Sequence, residues 1–384
     1  MTNVDLPTNV FTLIQGSYDV IPGSPWVYSI EGSILNIFKT LQPLEKTADI
    51  VLGMKTSDNF RFVRYWWEIN DKNKNWVAYE KHVTGFPYYY PTHALVLWNT
   101  DSIAYFHDYY SAQLPNEKYW MRPGINFSSI SSTRFTTKLL VGGRMCDMAA
   151  NTIFPSADEK NAILGLLGIL NSNLCQHFMR LLNPTINFQV IDVKRLPYPN
   201  TLSKRLQDLV IGIIRLQIRK VHFKEQTYDY KLPIPLVNKL DEISRINKNI
   251  NNTQIQIDDE VYILYGIGND ERASIDTQII GGNVDNQEVV VTDKESDTEK
   301  NEDETTSDSE KAIEWTSFSV GIILGRFQPG TPGALGSAIY RRSDFAIGSL
   351  PEPTEEEFNE LVGEPSKFAY IDEQGGRHVF TREV

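Results

Sequence analysis

The segment from Gly165 to Pro199 constrains the fold more than any other. Leu166, Leu167, Leu170, Leu174, Phe178 and Leu181 recur at helical spacing, so one broad face has to be buried. The residue before a proline avoids helical backbone, and Pro184 therefore predicts a helix stop near Asn183. Beyond it Ile186, Phe188 and Val190 alternate as in a half-buried strand, and Pro197 and Pro199 punctuate the exit. Such a helix–turn–strand needs a large apolar partner surface in the rest of the chain.

The chain has the material for one. Its 384 residues are 41% hydrophobic, enough for a sizeable core, and the expected arrangement is two structured units and a linker. Cys146 and Cys175 have no CxxC partners, which excludes zinc-ribbon and redox motifs and points to a reducing compartment. The N-terminus has neither a basic region nor an apolar stretch of signal-peptide kind, and no apolar run reaches membrane-spanning length. A cytoplasmic protein without membrane contact is expected. The net charge of -12 is unevenly placed: between Asp285 and Glu314 twelve acids face three lysines, so the remainder is close to neutral. That segment is poor in apolar residues after Val291 and reads as a disordered linker. Charge alone neither supports nor excludes a nucleic-acid face elsewhere.

Taken in order, the chain has a polar start, then a turn-rich stretch and a helix beginning near Ser24 with Pro25 in its first turn. A strand from Ile50 to Met54 leads into the polar loop Lys55 to Asn59, followed by an aromatic segment carrying Arg61 and Arg64. Thr56, Ser57, Asp58 and Asn59 beside those arginines suit contacts to phosphates and base edges; taken alone, an ordinary turn before an amphipathic segment whose aromatics pack in the core is the favoured reading. Leu95 and Leu97 with Trp98-Asn99-Thr100-Asp101 suggest a hairpin strand. The tyrosines 88 to 90, centred on Tyr89, form a stacking platform or a packed rigid loop. His82, His93 and His107 lack metal-ligand spacing. From Arg122 to Lys138 runs a hydroxyl-rich stretch with Ser128, Ser129, Ser131, Ser132 and Arg134. It can donate to phosphate oxygens, or it can be an edge strand. A second long helix spans Leu202 to Lys224, with Leu206, Leu209, Ile213, Leu216 and Val221 on its apolar face, and a further helical piece spans Ile257 to Ile267. Trp315 to Phe327 returns to helix or strand, and a strand pair is expected near Ala369 to Phe380.

Motifs for catalysis are missing. Asn183-Pro184-Thr185-Ile186 lacks the second proline and the aromatic needed to grip a flipped adenine. No strand leads into a G-x-G cofactor loop, and G-x-S-x-G, H-E-x-x-H and P-loop motifs are absent.

Nine stretches in collinear order nonetheless resemble one family. They are I-P-G-S-P-W-V-Y at Ile21, L-G-M-K-T-S-D-N-F-R-F-V-R-Y-W-W-E-I at Leu52, L-V-L-W-N at Leu95 and R-P-G-I-N-F-S-S-I-S-S at Arg122. L-N-S at Leu170, L-N-P-T-I-N-F-Q-V at Leu182, E-Q-T-Y-D-Y at Glu225, E-V-Y-I-L-Y-G-I at Glu260 and V-G-I-I-L-G-R-F at Val320 complete the set. Together they resemble the C-terminal half of PglX-type adenine-specific DNA methyltransferases of BREX phage-defence systems, which carries a TaqI-like specificity region. Two departures stand out. Thr56-Ser57-Asp58-Asn59 replaces the family's T-G-D-N, and Lys81-His82-Val83-Thr84-Gly85 replaces a basic K-G-G segment.

The resemblance implies an α+β fold: a mixed, β-rich target-recognition domain packed with long helices, an acidic disordered linker and a small C-terminal segment. The expected divisions are a helical N-terminal segment (1–48), the recognition domain (49–200), helical support (201–280), the linker (281–314) and the C-terminal region (315–384). It also implies specific binding of double-stranded DNA, as the specificity part of a restriction–modification or BREX adenine-N6 methyltransferase. No cofactor is expected in this chain; S-adenosylmethionine would sit on a separate catalytic domain or chain, with other defence-system proteins as further partners. The carried-over contact candidates are Thr56 to Asn59, Arg61, Arg64, Arg122, Ser128, Ser129, Ser131, Ser132 and Arg134, beside Tyr89 and Lys138. A remnant or protein-interaction module without DNA binding is the rival expectation.

Overall fold

The computed structural model describes residues 21, 32–68, 75–81, 86–130, 134–156, 159–185, 187–199, 201–227, 230, 233, 240–281, 308–323, 369–371 and 377–379. The helix expected near Ser24, most of the acidic linker, Ser131, Ser132 and most of the C-terminal tail lie outside them.

Helix and sheet are mixed, as the α+β expectation required. Helix α1 (Gly32–Thr40) buries Ile34, Ile37 and Phe38 and delivers the chain to the short strand β1 (Gln42–Pro43). The first sheet is antiparallel throughout, with spatial order β2 (Ala48–Val51), β9 (Ala150–Pro155), β6 (Gly124–Ser128) and β7 (Thr137–Leu140). The second sheet has the order β3 (Val63–Tyr65), β5 (Ala94–Leu97), β4 (Trp76–Glu80) and β8 (Arg144–Cys146). Its β4–β8 pair is parallel.

Between the sheets' strands lie two helices set by local chemistry. Helix α2 (Asn59–Phe62) is a single turn whose first N–H groups are met by the Asp58 carboxylate, which accepts from Arg61 N at 3.0 Å. Helix α3 (Thr100–Asp108) starts at a capping box in which Asn99 and Ser102 bond each other's backbone N–H. The Trp98–Asp101 run therefore starts a helix rather than turning a hairpin.

The long apolar stretch folds as two helices, not one. α4 (Glu159–Leu170) and α5 (Asn173–Leu182) meet at a 70° bend. Asn171 is the cause: its side-chain amide donates to Thr137 O at 2.9 Å and Leu167 O at 3.0 Å and accepts from Thr137 N at 3.0 Å. Ser172 then caps α5, accepting from Cys175 N. α5 stops at Asn183, as Pro184 demands. The expected strand does not follow. Ile186 lies outside the described residues, Asn187 makes an isolated bridge, and Val190 opens the short helix α6 (Val190–Lys194). β10 (Pro197–Tyr198) then closes back on β1.

α4 lies across β6, β7 and β9, and α7 (Lys204–Val221) packs on α4. The buried face of α7 is Leu206, Val210, Ile213, Ile214, Gln217, Ile218 and Val221, rotated from the expected one, with Leu209 and Leu216 half-buried. Gly165 and Gly168 on α4 let it approach closely, because a Cβ there would collide with Leu202, Leu206 and Val210. The expected helical piece at Ile257 is the end of a much longer helix, α8 (Leu240–Tyr265), stopped by Gly266 at φ 69°. α9 (Asn269–Gly281) packs on α5. One apolar cluster joins the first sheet to α4, α5, α7, α8 and α9. A second unites α2, α3 and the second sheet, and a third holds Trp66, Trp76, Leu95 and Tyr230 against Phe318 of α10 (Asp308–Ile323). The expected C-terminal strand pair is present as β11 (Ala369–Ile371) and β12 (Arg377–Val379).

Candidate nucleic-acid interface

The two sheets are joined by a buried ionic cluster. Glu80 at the end of β4 is inaccessible to solvent and accepts from Lys138 Nζ of β7 at 2.6 Å and from Arg144 Nη1 of β8. Burial alone would raise its carboxyl; Lys138 and Arg144 outweigh that and hold it below the ordinary glutamate value. Lys138 is 4% exposed, so this sequence candidate is structural rather than a phosphate contact.

Three more candidates are corrected in the same way. Tyr89 is 1% exposed, with Tyr88 and Tyr90 buried beside it, so this trio packs as a rigid loop and offers no ring face. Thr56 is buried and donates to Asn59 Oδ1 at 2.7 Å. Ser128 is buried at the end of β6. These hydroxyls and rings occupy polar-looking stretches of sequence, yet tertiary packing encloses them.

The remaining candidates among the described residues fall into four places. Ser57, Asp58, Asn59, Arg61 and Arg64 stay together on the loop and single turn after β2. Ser57 adopts φ 62°, a left-handed backbone rarely held by serine, and its Oγ accepts from Ser111 Oγ at 2.9 Å. Lys55 and Gln113 exchange both backbone hydrogen bonds, at 2.8 and 2.9 Å, so loops 55–59 and 109–113 are tied side by side. Arg61 stands over the rings of Phe62 and Tyr105, at 4.7 and 5.1 Å. Arg64 Nη1 donates to the carbonyls of Phe60 and Val63.

From that loop pair a run of main-chain links leads to the second place. Met54 N donates to Cys146 O, Ala149 N to Asp147 Oδ1, Ser129 N to Ala149 O, and Phe188 N to Ser129 O. Gly53 makes the crossing possible, since a Cβ there would overlap the Asp147 carbonyl. Ser129 is thus connected through residues 146–149 to the chain just before Ser57, although its Oγ already donates to Ala149 O and accepts from Asn151. Beside it Ile130 and Met148 are exposed.

Arg122 and Arg134 are not brought to that loop pair. Arg122 lies over Phe154, at the end of β9 away from Ala150. Arg134 Nη2 donates to Asn171 O at 2.8 Å and faces the α4–α5 bend. Sequence reasoning missed Phe60, Tyr109 and Tyr110. Phe60 and Tyr110 are each 90% exposed and Tyr109 is partly so. The available signal was the Tyr109-Tyr110 doublet just past the apolar face of α3, where a core assignment leaves one ring without a partner.

Among the described residues no three His, Cys, Asp or Glu side chains are placed to hold a metal. The one parallel pairing between named strands, β4–β8, has no single crossover helix with a glycine turn between its strands. The described residues therefore do not fit the dinucleotide-type cradle that would hold S-adenosylmethionine.

By sequence the chain is similar to parts of two adenine-specific methyltransferases. Over 255 residues it is 24% identical to the adenine-specific methyltransferase PglX of Lacticaseibacillus casei (strain Zhang), covering 60% of this chain and 20% of that protein. Over 212 residues it is 24% identical to the adenine-specific methyltransferase BrxX of Escherichia coli O9:H4 (strain HS), covering 53% and 17%. The chain thus spans about a fifth of the length of these relatives. A solved structure of the type IIL restriction-modification enzyme MmeI in complex with DNA aligns with a TM-score of 0.39 at 14% identity, covering 65% of this chain and 37% of that one. No protein-family model matches. No single helix among the described residues is long and apolar enough to cross a membrane.

Proposed function

We propose that the region from about Ile50 to Pro199 recognises a sequence in duplex DNA, as the specificity part of an adenine-N6 methyltransferase acting in phage defence. The observation that carries this is the rim: Lys55, Ser57, Asp58, Asn59, Arg61 and Arg64 converge on one pair of tied loops, with Ser129 farther along. A planar guanidinium already seated over two rings, beside an exposed amide and an exposed lysine, suits phosphate anchoring and base-edge contacts. Similarity to PglX and BrxX supports the same reading, with S-adenosylmethionine and the methyl transfer on a separate catalytic domain or chain.

The test is binding to duplex pools over a salt series. Wild-type protein binds with affinity that falls steeply with salt, because cations displaced from phosphates return to solution. Arg61→Ala weakens binding and lowers the slope of log affinity against log salt by about 1. Duplex binding that is absent, or that shows no dependence on salt, rejects the proposal.

A further inference from the structure

A single exposed ring is ordinary on a protein surface, but here several share two loops that are tied together. Tyr105 and Tyr109 stack with centroids 4.8 Å apart and planes 15° from parallel, and Tyr109 is followed by Tyr110 at 5.0 Å. The Arg61 guanidinium lies 5.1 Å from the Tyr105 centroid, so one cation and three rings adjoin in series, and the last of them, Tyr110, is open to solvent. Phe60, in the single turn α2 that follows the neighbouring loop, is equally open and lies 5.8 Å from the Arg64 guanidinium. The Ser57–Ser111 bond and the Lys55–Gln113 pair hold the loops before any ligand arrives.

We propose that Phe60 and Tyr110 take the flat faces of unpaired nucleobases, so that this rim grips DNA where a base has left the stack. The inference rests on the reading of the rim as a DNA surface and names what its rings bind. A paired base inside a duplex shows only its edges, which suit Asn59 and the arginines but not a projecting ring. An aromatic face finds a partner only where stacking is broken, and every base then offers one whatever its identity. Modification of an adenine amino group requires that same broken stack. The surroundings favour nucleic acid over an apolar protein partner, because the two tied loops carry Lys55, Ser57, Asp58, Asn59 and Ser111, and Arg61 stands over Tyr105.

The experiment compares two fluorescent probes of one sequence, a fully paired duplex and the same duplex with a single unpaired adenine, using the full chain. The wild type binds the bulged probe more tightly by roughly 5- to 100-fold. Phe60→Ala and Tyr110→Ala bring that ratio toward one, Tyr110→Phe preserves it, and thermal melting stays at the wild-type value because both side chains are exposed. Equal wild-type affinity for the two probes overturns the inference alone, as does a preference that survives in the doubly substituted chain. Binding to neither probe overturns the DNA reading as well.

Discussion

Asp258 of α8 and His177 of α5 make stability depend on pH in opposite directions. Burial lifts the Asp258 carboxyl to about 6, although Asn173 N and Gln254 donate to it and Arg134 lies close. Burial and the neighbouring Arg180 depress His177 to about 4. Asp258 binds its proton more tightly when folded, so its contribution falls as pH rises from about 4 to 6. His177 binds its proton less tightly when folded, so its contribution rises from about 4 to 6.5. At about 1.4 kcal/mol for each tenfold change in proton affinity, each amounts to something on the order of 3 kcal/mol, and the wild type should be nearly flat between pH 4.5 and 6.5. Asp258→Asn should unmask a stability that climbs with pH, and His177→Gln one that declines; urea unfolding at several pH values reads both. Lys138 gives a second test. Lys138→Met removes one charged donor from the buried Glu80 carboxylate and leaves the Glu80–Arg144 pair in place, so it should cost about 1.5–3 kcal/mol, whereas Lys55→Ala should change stability by less than about 0.5 kcal/mol. Sequence shows residue type but not enclosure. That is why Lys138 and Tyr89 resembled contact residues, while Phe60 and Tyr110, the open rings of the rim, were not singled out.

At the scale of elements, periodicity identified the apolar faces of α4 and α5 and the stop at Asn183, but not the bend between the helices. Leu166, Leu170 and Leu174 keep helical spacing across residues 171 and 172, so the pattern reads straight through. The break comes from a long-range bond: the Asn171 amide is turned onto Thr137 at the start of β7, 34 residues away. Asn171→Ala leaves the buried Thr137 N–H without its acceptor, while Tyr88 N still donates to the Thr137 carbonyl, and chemical denaturation should show a loss of about 1–3 kcal/mol. Loop chemistry was similarly ambiguous at Asn99, where a turn-forming residue followed by Thr and Asp caps a helix because Ser102 stands three places on. β4 and β8 could not have been paired from sequence. They run parallel and lie more than sixty residues apart, and local pattern carries no information about such a partner.

For the whole molecule, charge distribution matters more than its total. Nine of the twelve net negative charges fall between Asp285 and Glu314, so the parts that carry the rim are close to neutral. Replacing the acids between Asp293 and Glu304 by serine should raise the rate of DNA association at low salt, and stopped-flow traces should converge above about 0.5 M salt, where the screening length drops to a few ångströms. The clasp between β1 and β10, with Gln42 opposite Tyr198 and Pro43 opposite Pro197, has a different consequence. The chain enters and leaves the two-sheet unit at one doorway. Such a unit could be exchanged between homologues as a cassette, its two seams cut side by side, without rerouting the surrounding chain. The transplant has to preserve the contacts across the seam: the glycine face of α4 at Gly165 and Gly168 must still meet Leu202, Leu206 and Val210, α5 must meet α9, and Trp66, Trp76 and Leu95 must meet Tyr230 and Phe318. Exchange of the rim between scaffolds is therefore governed by the fit of these packed faces rather than by the residues that touch DNA in the proposed mode.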